Sequence, residues 1–551
     1  MDASLQRDAA APGLISRHWP ASDERLARAK RWSQGCVLAS VRPRLQVPQN
    51  RMCTNDTRAD LRRPIALRPA IRAHGLVCLV ALAVAACAGP GPERSDDRRG
   101  GRDPHASEPP RERPLREFAA QAYPSTYQPL PRRDTLLRGA TVLDGTGRRL
   151  ERTDVLLREG LVAAVGTNLE PPAGVEVVDA AGRWITPGIV DPHSHLGDFP
   201  TPYTAEDAQH TDVNEDSGPN TAQVWAQHSI NVQDPGFTRA LQGGVTTLQV
   251  MPGSTNLFGG RTVVLRTVPA STVQGMMFPG ASFGLKIACG ENVVHAYGDS
   301  GRFPVSRMGA VSGQRAAWIA ARKYLNDWRR YASGEERRPP EPDLQLDTLA
   351  GVLTGDIRVH AHCYRADDIA GLFGMAREFD FRITAIHHAT EAYKIPELFV
   401  REGACAAVWS DWWGYKREAY DAIRENAAFV DAAGGCVALH SDSAIVGQRL
   451  NLEAAKAMAA GVRAGVPIAA ERAIEWITRN PARMIGLDDR IGSLEPGKVA
   501  DVVVWSGDPF SIYTHAERVY VDGALAFDRQ DPTRQPVGDF ELGQPSRESL
   551  P

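Results

Sequence analysis

Apolar and polar residues alternate along 135–186, with turn residues between the runs. LLRGATVLDG, DVLLREGLVAAVG and VEVVDAAGRWI carry the period of two that marks short half-buried strands. The same signature returns near the far end, in GSLEPGKVADVVVW and AERVYVDGALAF. Between these outer pieces the pattern changes. Short apolar runs (GVTTLQVM, FGLKIA, IRVHAH, RITAIHH, ACAAVWS, CVALHSD) alternate with stretches of helical period, among them SGQRAAWIAARKYLNDW, ADDIAGLFGMAREF and NLEAAKAMAAGVRAG. Strand and helix in strict alternation predict an α/β fold, a TIM-like (β/α)8 barrel of parallel strands. The flanking strand-rich pieces predict one small β-sandwich domain made from both ends of the catalytic region. The expected boundaries are 134–186 and 487–530 for the two parts of the sandwich and 187–486 for the barrel, with a disordered tail over 531–551.

The segment before residue 134 reads differently. Residues 75–86, GLVCLVALAVAA, are apolar but fall short of the about 20 residues a membrane-spanning helix needs. Arg62, Arg63, Arg68 and Arg72 precede the run, giving the basic and apolar regions of a secretory signal. The run ends Val84-Ala85-Ala86-Cys87, which resembles a bacterial lipobox with Cys87 as the lipidated residue. Cleavage near Ala88 as a plain signal is the alternative. A signal starts close to its methionine, and Met52 supplies one. Residues 1–51 are therefore expected to be a non-native upstream extension, 52–87 a lipoprotein-type signal, and 88–133 a disordered Pro-, Arg- and Gly-rich tether. The expected location is the periplasm-facing membrane or cell envelope, with the lipid as the only membrane contact.

Charge supports that division. Residues 1–87 hold 14 Lys+Arg against 6 Asp+Glu, and the remainder 49 against 60. An acidic body argues against nucleic-acid binding, which calls for a basic stripe. The hydrophobic share of 43% and charged share of 23% suit an ordinary buried core. Cys36, Cys53, Cys78 and Cys87 precede the folded part, and Cys289, Cys363, Cys405 and Cys436 lie inside it. None has CxxC spacing, so the inner four are expected to be small buried apolar residues, with disulfides as the alternative.

The chemistry gathers at predicted strand ends, where such barrels carry their sites. His193 and His195 are two apart on a strand, so both imidazoles face one side and can share a cation. Asp191 is placed to orient one ring. Lys286 stands alone in the apolar strand FGLKIACGEN. As an ammonium it cannot bind metal; as a carbamate it would bridge two cations. His360 and His362 form a second same-face pair. His387 and His388 are adjacent and face opposite ways on a strand, so only one is expected to be a ligand, His388, which precedes the polar loop. Asp442 follows the last predicted strand as an oxygen ligand or base. Trp412, Trp413, Tyr415 and Lys416 follow ACAAVWS and are candidate pocket residues, with Lys416 or Arg365 holding a substrate carboxylate and Tyr393 nearby. Packing of these loops on the barrel top is the other reading.

This series of residues resembles the amidohydrolase superfamily over roughly 135–530. ITPGIVDPHSHLG and IGSLEPGKVADVVVWSGDP look like its opening and closing signatures, and GLKIACGEN, VHAHCYRADDI, HHATEAYK and SDWWGYKREAYDAIREN look like the imidazolonepropionase-related branch. The resemblance implies two divalent cations, zinc with manganese as the alternative. His193 and His195 would bind the more buried ion, carbamylated Lys286 would bridge, and His360 and His388 would bind the more exposed one. Asp442 would touch the buried ion and shuttle protons. His362 would face the substrate or exchange roles with His360, and Glu291 is the fallback bridge. It implies hydrolysis of an amide, peptide or cyclic amide bond in a small substrate. A prolidase-like dipeptidase, a one-metal deaminase and a catalytically dead, lipid-anchored binding protein are the alternatives. Homo-oligomer formation stays open.

Overall fold

Residues 112–201 and 211–534 are described by a computed structural model, and the expected signal, the tether up to residue 111, the lipidation site Cys87 and most of the tail lie outside them. Every run named above as a strand forms one. Among the described residues, seven strands of the α/β body pair in parallel, in two sheets. Ile189–Ser194 pairs with Val245–Val250. Gly284–Ala288, Arg358–Cys363, Ile383–His388, Cys405–Val408 and Cys436–Leu439 follow one another in a second sheet. Between the two sheets runs an antiparallel excursion, Phe258–Arg261 and Val263–Arg266, which the sequence pattern does not announce. The far edge turns back toward the first strand, where Asp442 N–H donates to His193 O at 3.1 Å.

These strands are buried on both faces, which is why they read as apolar runs rather than alternating ones. Helices cover them. Arg307–Ala332 starts where the Ser306 hydroxyl accepts from Gly309 N–H. It buries Ala310, Gln314, Trp318, Ala321, Leu325 and Trp328, a stripe of three- and four-residue steps. Ala366–Phe379 ends at Asp380, whose left-handed φ of 59° closes the helix.

A separate eight-stranded sheet draws on both chain ends. Trp184–Pro187 lies between Thr135–Leu143 on one side and Val502–Trp505 on the other. Arg266 joins this sheet to the parallel strands through ion pairs with Asp501 and Asp522, the latter at 2.8 Å.

Two expectations need correction. Residues 112–133 are irregular but not a loose tether. Phe118 and Tyr127 are buried, Arg116 forms a bidentate pair with Asp347 at 2.8 and 2.7 Å, and the Tyr127 hydroxyl donates to Asp522. Two aromatic anchors outweigh the polar composition around them. The inner cysteines are not free either: Cys289 bonds Cys363 and Cys405 bonds Cys436. Each bridge ties neighbouring strands, and their partners sit 74 and 31 residues apart. Closing loops of that length stabilises by about 4 kcal/mol each. Chemical denaturation with reductant should therefore show a markedly lower midpoint than without it, and coincident curves would contradict this.

Candidate metal centre and active site

Seven histidines and one aspartate converge at the ends of the parallel strands. His193 Nε2 lies 3.2 Å from His195 Nε2, and Asp442 Oδ1 lies 3.1 Å from His195 Nε2 and 3.5 Å from His193 Nε2. These three groups place ligand atoms within 4.8 Å of one another, as do His193, His388 and His440. His195 Nδ1 is held 2.8 Å from Met251 O, which leaves Nε2 to face the cluster. Asp191 does not touch a ring. Its carboxylate accepts from the Ser441 hydroxyl and backbone N–H, fastening the last strand to the first. Burial pushes Asp191 up to about 7, against those bonds from Ser441.

His387 does not turn away as strand alternation predicts. The strand ends at His388, whose φ of 69° is left-handed, and this twist swings His388 into the cluster alongside His387. His387 Nδ1 lies 3.0 Å from His193 Nδ1, and its Nε2 lies 2.9 Å from His360 Nδ1. His360 thus sits deeper, in space that any side chain at position 284 would occupy: a Cβ on Gly284 would stand 2.6 Å from its Cδ2. His362, one step nearer the strand end, packs its ring 4.5 Å from that of His388. Both nitrogens of His362, both of His440, Nδ1 of His388 and Nε2 of His360 are buried without a hydrogen-bond partner. Burial holds His193, His362, His387 and His388 well below the usual imidazole range and His360 and His440 at about 3, so all six rings are neutral at pH 7. Buried neutral imidazoles with unused lone pairs beside a carboxylate are the donor set of a divalent transition metal. Burial alone would raise Asp442, but the hydrogen bond and charge of His195, with His440 and Lys286, hold it below its ordinary value.

Lys286 is fully buried and pairs in register with His360. Its Nζ donates to Pro252 O at 3.1 Å and reaches Met251 Sδ at 3.2 Å. Burial pushes its pKa down to about 7. Glu291 is engaged elsewhere: it and Glu418 accept each other's backbone N–H, at 3.2 and 3.0 Å.

Aromatic residues wall the cluster. Trp409 stacks on His388 at 4.2 Å and Trp412 on Trp409 at 4.7 Å. A cavity of about 280 Å3 opens against His388, with Thr390, Trp409, Trp412, Trp413 and Asn426 among its walls. The Tyr415 hydroxyl meets that of Tyr364 at 2.6 Å, and Lys416 Nζ sits 4.6 Å above the Tyr364 ring, donating to Asn292 Oδ1 at 2.7 Å. Arg365 and Tyr393 are not brought to the cluster. Arg365 pairs with Asp367 at 2.9 and 3.1 Å, and the Tyr393 hydroxyl donates to Asp421 O at 2.9 Å. Sequence reasoning missed His440, although its place two residues before Asp442 was a same-face signal.

The sequence profile of the amidohydrolase family matches residues 417–537. A solved amidohydrolase from Thermotoga maritima MSB8 is 36% identical, with a TM-score of 0.66 over 72% of this chain and 100% of its own. The amidohydrolase tasK of Hapsidospora irregularis is 32% identical over 402 residues, which are 68% of this chain and 40% of tasK, so the chain spans well under half of that relative. An imidazolonepropionase from Mesorhizobium japonicum is 24% identical over 419 residues, 70% of this chain and 92% of its own.

Proposed function

Because this chain belongs to the amidohydrolase family, we propose that it is a hydrolase of carbon–nitrogen bonds that cleaves the amide bond of a small peptide-like substrate at a two-cation centre. The observation that carries this reading is the set of orphaned, neutral imidazole nitrogens around Asp442. The parallel strands are read as a closed barrel and the eight-stranded sheet as its companion domain, in keeping with the 187–486 and flanking boundaries. Divalent cations, when bound, polarise a carbonyl and acidify water.

His193, His195 and Asp442 would hold one of them, His362 and His388 the other, and Lys286, as its carbamate, would serve as a shared anionic ligand. His362 replaces His360 for a reason of proton accounting. A His193 that offers Nε2 to a cation carries its proton on Nδ1 and donates to His387 Nδ1. His387 then donates from Nε2 to His360 Nδ1, and His360 keeps its proton on Nε2. A neutral His387 therefore allows His193 or His360 to be a ligand through Nε2, not both. His387 is a positioning residue. His387→Ala should weaken metal binding about 10–100-fold, read by chelator competition, while His387→Asn recovers part of the loss; an unchanged affinity in the alanine variant would count against the relay.

Asp442 takes a proton from the attacking water and returns it to the leaving nitrogen. In this reading Trp409 and Trp412 screen the reacting bond from solvent, and Lys416 and Tyr415, a short way along the same loop, meet a substrate carboxylate. Two disulfides in the catalytic body favour an oxidising compartment, which agrees with export and a lipid anchor at Cys87. The test is metal content with a screen of dipeptides, N-acyl amino acids and cyclic amides. Two ions per chain and chelator-sensitive hydrolysis are expected; one ion with release of ammonia from an amino-heterocycle would favour the deaminase reading.

A further inference from the structure

The catalytic cavity shares two of its walls, Asp411 and Arg424, with a second and larger groove of about 550 Å3. This groove follows one face of the helix Leu450–Arg463: Arg449, Glu453, Lys456, Ala459 and Arg463 recur at helical spacing along it. From Arg449 to Arg463 is roughly 21 Å at 1.5 Å per residue. Phe510 and Ile512 form an apolar side, and Ile512 is 76% exposed.

The charges are unevenly spent. Lys456 is neutralised in the middle of the groove by Asp411 at 3.0 Å and Glu453 at 2.8 Å, and Glu453 also accepts from the Ser410 hydroxyl. Arg424, Arg449 and Arg463 make no ion pair or side-chain hydrogen bond among the described residues. Beyond residue 87 the chain has 49 Lys+Arg against 60 Asp+Glu. Three uncommitted guanidinium groups in one groove of so acidic a body form a localised cationic feature, and guanidinium groups fit carboxylates in bidentate fashion.

We propose that this groove binds the extended portion of an acidic peptide whose scissile amide enters the catalytic cavity. The assignment rests on the hydrolase reading above for the identity of that bond. About six extended residues fit the span at roughly 3.3 Å each. Asp411, whose side chain is one third exposed in the middle of the groove, repels a continuous run of phosphates but can accept from a peptide N–H group. The apolar side serves aliphatic stems of the ligand.

The test uses the full metal-loaded chain and fluorescently labelled hexaglutamate and hexaglutamine, read by anisotropy at low salt. Hexaglutamate should bind at least about tenfold tighter. The Arg449→Gln/Arg463→Gln double variant should lose about tenfold in that affinity while its kcat/KM on a small uncharged amide stays at the wild-type value. Equal binding of the two peptides, or hexaglutamate binding untouched in the double variant, overturns the proposal. Preferential hexaglutamate binding by a protein that cleaves no amide would leave the groove standing and reject the hydrolase reading, so the two failures are distinct.

Discussion

Asp442→Asn should fold normally and lose about 10^3-fold in kcat, within the range ascribed to a positioned proton-transfer group. The side chain keeps its shape, so the backbone bond from Asp442 N–H to His193 O survives. Two things vanish. The amide cannot accept and return a proton, and its loss of charge removes the anionic member of the trio formed with His193 and His195. Asp442 also holds a left-handed φ of 49°, a conformation asparagine tolerates better than most residues. The unfolding midpoint is thus expected to move little. Steady-state kinetics beside a denaturation curve separates the effects: full activity in a folded Asp442→Asn protein would remove Asp442 from the chemistry.

Lys286→Ala is the second large effect. Loss of a bridging anion removes several kcal/mol of charge organisation at the metals, equivalent to roughly 10^2–10^3-fold in rate. The lysine's protonation gives this prediction a pH signature. Only the neutral amine adds carbon dioxide, forming the N–C bond and releasing one proton. With its pKa pushed down to about 7 by burial, Lys286 is mostly charged at pH 6 and mostly neutral at pH 8. Enzyme freed of carbon dioxide should regain activity on adding bicarbonate, readily at pH 8 and poorly at pH 6, and Lys286→Ala should not respond at either. An alanine variant as active as the parent, or bicarbonate rescue of that variant, would refute the bridge.

The residues that proved legible are those whose position follows from local periodicity. HxH spacing puts His193 and His195 on one face, and a lone lysine in an apolar strand is conspicuous wherever the strand lies. What depends on neighbours was not legible. His360 and His362 share a face, yet one is buried beneath His387 and the other lies beside His388, a difference of depth set by packing. Strand alternation turns His387 away from the site only if it runs through the strand end, and the left-handed His388 breaks it there. The disulfides follow from register: Cys405 faces Cys436 across paired strands, and Ala288 pairs with His362, which brings Cys289 beside Cys363. No one-dimensional signal carries register. Arg365 and Tyr393 looked like pocket residues by sequence proximity, but nearby carboxylate and carbonyl oxygens had already claimed them.

The sheet built from both chain ends imposes an order on biogenesis. Pro187 pairs with Val502, 315 positions later. At about 5–20 residues per second, the nascent strand Trp184–Pro187 waits roughly 15–60 s with one hydrogen-bonding edge uncovered. During that interval it is a template for pairing with foreign chains. A truncation before Val502 would make the exposure permanent, so C-terminally shortened forms should be prone to aggregation even with every catalytic residue present.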